Sequence, residues 1–181
     1  IIQLIGSKAF NNQGSVVRGT AECGLKITLY NINGLNPSSP SIDFLNEWFF
    51  KTMHHEFAHI LHQTKNYSTD FNLISTDYQG PSWLNLESNA VANKMGYVTC
   101  YASYSPDEDF VEIISNYVTH AKGYWESVLA TAGEEGGDKL ARKFEIVRNY
   151  LQESWGIDID KLRDIVQKRS ANISQLDLKT L

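Results

Sequence analysis

The spacing of apolar and polar residues changes near residue 41. Before it, Leu25-Lys26-Ile27-Thr28-Leu29-Tyr30 alternates apolar with polar and is rich in β-formers. That pattern predicts a half-buried strand. Gly14, Gly19 and Gly24 punctuate the stretch before it, and Asn33-Gly34, Pro37 and Pro40 predict a loop over 33–40. From Ser41 to Gln63 the period becomes helical, with Ser41 or Asp43 as cap. Phe44, Leu45, Trp48, Phe49, Thr52 and Met53 give this helix a broad apolar face, so it is expected at the centre of the core.

Residues 64–82 read as a polar loop, and Trp83–Met95 as a short helix closed by Gly96. Tyr97–Tyr104 is irregular. Ser105-Pro106-Asp107-Glu108 then combines an N-cap, a first-position proline and first-turn acids, and starts a helix that runs to about His120. Gly123 and Gly133–Gly137 are expected to break the chain, leaving helices over Asp138–Trp155 and Asp158–Arg169. The sum is an α+β chain read as one domain: strand-rich over 1–40, helical over 41–120, and a helical C-terminal part over 121–181.

Composition removes some classes. The 181 residues carry a formal net charge of −5, which argues against nucleic acid as the main partner. There is no apolar run long enough for a transmembrane segment. No basic stretch followed by an apolar one opens the sequence, so no export signal is read in it. Cys23 and Cys100 allow one disulfide or none, and are expected as buried or half-buried thiols.

Chemistry is concentrated in His54-His55-Glu56-Phe57-Ala58-His59-Ile60-Leu61-His62, which holds four of the five histidines. Residues four apart on a helix share a face, so His55 and His59 can aim at one metal ion. Glu56 lies about 100° round from His55 and suits a proton acceptor beside the metal better than a ligand. Zinc takes imidazole nitrogen and carboxylate oxygen, and makes a water acidic enough for a carboxylate to deprotonate.

A third ligand is needed. His62 shares the face, but His55 and His62 lie about 10 Å apart along a straight helix, far for Zn–N bonds of about 2 Å. His62 is therefore read as a neighbour that supports the site. The other source is Glu108-Asp109-Phe110-Val111-Glu112, where Glu108 and Glu112 share a face. One can bind metal while the other orients a ligand imidazole. Helix starts attract acids without any metal, which accounts for Asp107 and Asp109 but poorly for Glu112, deep in the helix.

His55-Glu56-Phe57-Ala58-His59 followed about 50 residues later by Glu108–Glu112 resembles the gluzincin branch of zinc metallopeptidases. That resemblance implies Glu108 as the third zinc ligand and Glu112 as the acid behind the first His. A metzincin would need Gly at 62 and His at 65, where this chain has His62 and Lys65. Gly19–Glu22, Lys26–Tyr30, His54–Gln63, Gly96–Val98 and Tyr101–Ser103 together resemble the zinc-binding metallopeptidase lipoproteins of Bacteroidetes, also described as substrate-import-associated zinc metallohydrolases. The similarity spans roughly residues 3–170. It implies a zincin-like fold and an exported protein, lipid-anchored at the outer membrane or periplasmic, beside glycan uptake components.

Tyr101, seven residues before Glu108, resembles the tyrosine that stabilises the oxyanion in some toxin gluzincins, with Tyr104 and Tyr117 in reserve. By analogy, the strand around Leu25–Tyr30 is expected to pair with an extended peptide. The expected function is zinc-dependent hydrolysis of peptide bonds. The alternative is a zinc-containing binding module of a glycan uptake system, in which His62 would close the metal site.

Overall fold

A computed structural model describes residues 1–36 and 41–175. Of the loop expected over 33–40, Pro37 and Pro40 lie outside the described residues. The protein is α+β: a small sheet precedes a mostly helical body. Strand β1 (Ile2–Leu4) pairs in parallel with β5 (Lys26–Leu29), and β4 (Gly19–Glu22) pairs antiparallel on its other side. A separate hairpin is formed by β2 (Ala9–Phe10) and β3 (Val16–Val17). Cys23 and Gly24, both at positive φ, turn the chain from β4 into β5.

Three expectations change here. β5 is the central strand of its sheet, and Ile27, Thr28 and Leu29 are all buried rather than alternating. Being hydrogen-bonded on both sides, it has no edge for a substrate strand; the edge facing the helices is β4. Cys23 is exposed, and both cysteines are free.

The expected helix over 41–63 runs as α1 (Ile42–Leu45), a π-helical turn (Asn46–Phe50) and α2 (Lys51–Thr64). Ser41 Oγ caps it by accepting from Phe44 N–H at 3.3 Å. Its N-terminal apolar residues do not form the main core. Leu45 and Phe49 pack with Ile173 in a satellite cluster flanked by Phe44 and Trp48.

The central helix is instead α5 (Pro106–Thr119), buried at every residue from Asp109 to Thr119. The stretch expected as a polar loop contains a short helix, α3 (Phe71–Ile74), because Phe71 is fully buried against Phe110. Residues 80–85 form a 3-10 turn, and α4 covers only Asn89–Met95, capped by Gly96 at φ 92. A second 3-10 turn covers Tyr101–Tyr104.

The glycines after 120 do not end the helix. α6 runs from Lys122 to Trp155 and kinks at Gly133, the one residue whose backbone leaves helical values. Gly136 serves packing: a Cβ there would stand 2.4 Å from the Asn93 carbonyl oxygen, so its absence lets α6 press on α4. α7 (Ile159–Ala171) follows, with Asp158 accepting from Asp160 and Lys161 N–H at 3.1 Å each.

The start of α5 is held from three directions. Ser105 Oγ accepts from Glu108 N–H at 3.3 Å. Tyr67 donates to Asp107 at 2.6 Å. Asp109, expected as an acid that serves the helix start, is fully buried against Lys143 of α6 at 2.6 Å. Lys143 also donates to Gly96 O at 2.8 Å, and Tyr78 donates to Asp109 at 2.9 Å. Breaking such a buried pair from one side costs about 3–5 kcal/mol.

Candidate metal centre

α2 and α5 cross so that His55 and His59 face Glu108. His55 Nε2 lies 3.1 Å and His59 Nε2 3.4 Å from Glu108 Oε2. One ligand atom from each of the three residues falls within 4.8 Å of the others. Glu108 Oε2 is buried and has no hydrogen-bond partner. A buried carboxylate oxygen in this position needs a cation beside it, which a protonated imidazole or a metal ion among the three atoms can supply. Two atoms bound tetrahedrally at about 2.0–2.1 Å stand about 3.4 Å apart, close to both separations. The residues fit zinc in donor type and spacing.

The far nitrogens of the two imidazoles are also engaged. His55 Nδ1 meets Glu112 Oε1 at 2.9 Å; a carboxylate only accepts, so Nδ1 donates. Glu112 Oε2 accepts from Thr99 Oγ1 at 2.6 Å and from Asn116 Nδ2 at 3.1 Å. Burial favours the neutral acid, but the bond from His55 and the neighbouring donors outweigh it and hold Glu112 down at about 2. His59 Nδ1 meets His62 Nε2 at 2.8 Å. His62 thus turns to the back of His59 and is not in the three-residue cluster.

Without metal, burial opposes a charge on His55, but Glu108 and Glu112 overcome it and raise its pKa to about 10. Burial likewise raises Glu56, against the pull of His55 and His59. Glu56 is buried beside the cluster, and Gly19 of β4 lies over it. A Cβ on Gly19 would stand 2.7 Å from Thr52 Cγ2 and 2.8 Å from Glu56 Cγ. Only glycine lets the strand come this close.

Tyr101 stacks on His55, with ring centroids 5.9 Å apart. Burial and then the Glu108 charge push its phenol well above the usual range, so it stays protonated. Tyr104 stacks behind Tyr101 at 6.0 Å. Tyr117 is removed as a reserve: it is buried in the core and donates to Asp160 at 2.5 Å. A cleft of about 820 Å³ is lined by His55, Glu56, Glu108 and Tyr101, and also by β3 and Arg18.

Gly19, Thr99 and Asn116 were not anticipated at the site. Asn116 follows Glu112 by one turn, a spacing visible in sequence; Thr99 and Gly19 reach the site only through the fold.

Fold and donor set together define a small α+β protein with a His/His/Glu cluster, under a sheet edge, that could hold a metal ion. Residues 1–160 match the family described as "Putative zinc-binding metallo-peptidase", and the chain belongs to that family. Among solved structures it is similar to the crystal structure of a "putative zinc-binding metallo-peptidase" from Bacteroides caccae. The two share 36% identity at a TM-score of 0.77, over 98% of this chain and 67% of that one. No curated protein matches the chain. No described helix is long and apolar enough to cross a membrane.

Proposed function

We propose that the protein is a zinc-dependent peptidase in which His55, His59 and Glu108 hold the metal. The observation that carries this reading is Glu108 Oε2, buried, without a hydrogen bond and faced by two imidazole Nε2 atoms. The family and the relative from Bacteroides caccae support it. Zinc at these residues supplies Lewis acidity, polarising a carbonyl and bringing the pKa of a water toward about 7.

The protein residues then have separate tasks. Glu112 accepts the His55 Nδ1 proton, and His62 accepts the His59 Nδ1 proton, which leaves both Nε2 lone pairs free. Glu56 takes the proton of the attacking water and returns it to the departing amine. Its burial, which raises its proton affinity, suits both halves of that task. Tyr101 keeps its proton and donates a hydrogen bond to the oxygen that gains charge. The edge of β4 offers main-chain groups to an extended peptide.

The test uses a library of quenched fluorescent peptides. Cleavage should stop on chelation and return with zinc. Glu56→Gln should retain zinc while losing about 10²–10⁴-fold in kcat/KM. Cleavage that survives chelation, or that survives Glu56→Gln, contradicts the proposal.

A further inference from the structure

The cleft around the cluster has two walls of different chemistry. Arg18, Glu47 and Lys51 line one. Arg18 and Lys51 share one carboxylate: Arg18 pairs with Glu47 and also donates to the Glu47 carbonyl oxygen at 2.9 Å, and Lys51 lies 3.5 Å from Glu47. This wall is polar and keeps one net positive charge.

Trp83, Leu84, Tyr101 and Tyr104 line the other. Their rings form a ladder that starts at a proposed metal ligand. Tyr101 lies on His55, Tyr104 stacks on Tyr101, and Trp83 meets Tyr101 edge-on at 5.0 Å. Leu84 is 52% exposed and Tyr104 40% exposed, although both stand in a concave site. Backbone contacts hold the wall in place. Its two 3-10 turns are tied by Gln79 N–H donating to Ser103 O at 2.7 Å, and Gly80 at φ 53 with Pro81 shapes the first. A preformed apolar wall lowers the ordering cost of binding.

Resting on the peptidase reading, we infer that this wall is a specificity subsite: Trp83, Leu84 and Tyr104 receive a large apolar or aromatic side chain next to the scissile bond. An extended peptide advances about 3.3 Å per residue, so with its reacting amide at the cluster only the flanking residues reach a wall one ring beyond His55. A Phe or Leu side chain there removes apolar surface from water on both partners. Sugar rings also stack on aromatics, but Gly19 of the β4 edge lines the same cleft, and main-chain groups of a strand edge match a peptide.

Binding tests this apart from turnover. A Phe residue is moved position by position through an Ala-rich hexapeptide, and affinity for zinc-loaded Glu56→Gln protein is measured by calorimetry. One position should bind about 10–100-fold more tightly with Phe than with Ala. In Trp83→Ala/Leu84→Ala that ratio should fall below about threefold. Leu73→Ser, at an exposed apolar residue on α3, should leave the ratio intact. Leu84→Ala alone serves if the double variant does not fold.

Equal affinity at every position, no peptide binding, a Phe preference that survives the double variant, or tighter binding of maltohexaose than of any peptide overturns the subsite. Cleavage of the same peptides by wild type separates the two ideas. Cleavage without Phe preference removes the subsite and leaves the peptidase; Phe-selective binding without cleavage does the reverse.

Discussion

His55 and His59 sit one turn apart on α2 and present the same atom to Glu108, yet their backing differs. Behind His55 lies a buried, charge-assisted network: Glu112 accepts from His55, Thr99 and Asn116 at once. Behind His59 lies His62, a half-buried imidazole on the same helix. The first support reaches across to α5, the core helix; the second is local to α2. The difference implies that one side of the site is rigid and coupled to folding, while the other is adjustable.

Removing the stronger support should have the largest effect. Glu112→Ala leaves the Thr99 hydroxyl without its acceptor and removes the partner of His55, while the Asn116 amide keeps the Glu112 carbonyl oxygen at 2.8 Å. Zinc affinity should fall about 100-fold, and stability by about 3 kcal/mol. Competition with a chromophoric chelator and urea unfolding would show both. An affinity loss with no stability loss would break the link between the His55 side and the core.

His62→Ala should cost about tenfold in zinc affinity. Its Tm should stay close to wild type, because the position is only half-buried. If His62→Ala costs more than Glu112→Ala in the same assay, the ranking of the two supports is reversed.

The smallest expected effect is a proton count. In the metal-free protein His55 titrates at about 10, because Glu108 and Glu112 outweigh the burial that opposes its charge. Near pH 7 it therefore carries a proton that zinc must displace. Zinc uptake should release about one proton, and apparent affinity should drop about tenfold per unit as pH falls. Calorimetry in buffers of different ionisation enthalpy measures the release. No release would mean that the two carboxylates do not hold His55 charged.

What the sequence made legible was local. The His55–His59 spacing, the Ser105 cap and the Gly96 helix end are all set within one or two helical turns, and all are found in place. The spacing of Glu108 and Glu112 marked both as site candidates; their sorting into one that faces both imidazoles and one behind His55 followed a family resemblance, and the structure arranges them that way. Long-range features were not legible. Asp109 looks like any first-turn acid until Lys143 arrives from α6. β5 looks half-buried until β1 and β4 flank it. Gly136 looks like a helix breaker until α4 lies against it. In each case the deciding partner is more than 20 residues away or depends on sheet order, which periodicity does not encode.

The central claim is an open three-residue zinc site, and an anomalous-difference map at the zinc edge from crystals of the zinc-loaded protein tests it most directly. One peak bonded to His55 Nε2, His59 Nε2 and a Glu108 oxygen is expected, with a solvent-facing position beside Glu56. A peak that includes His62 in a closed four-residue shell, or no peak after zinc is supplied, would contradict it.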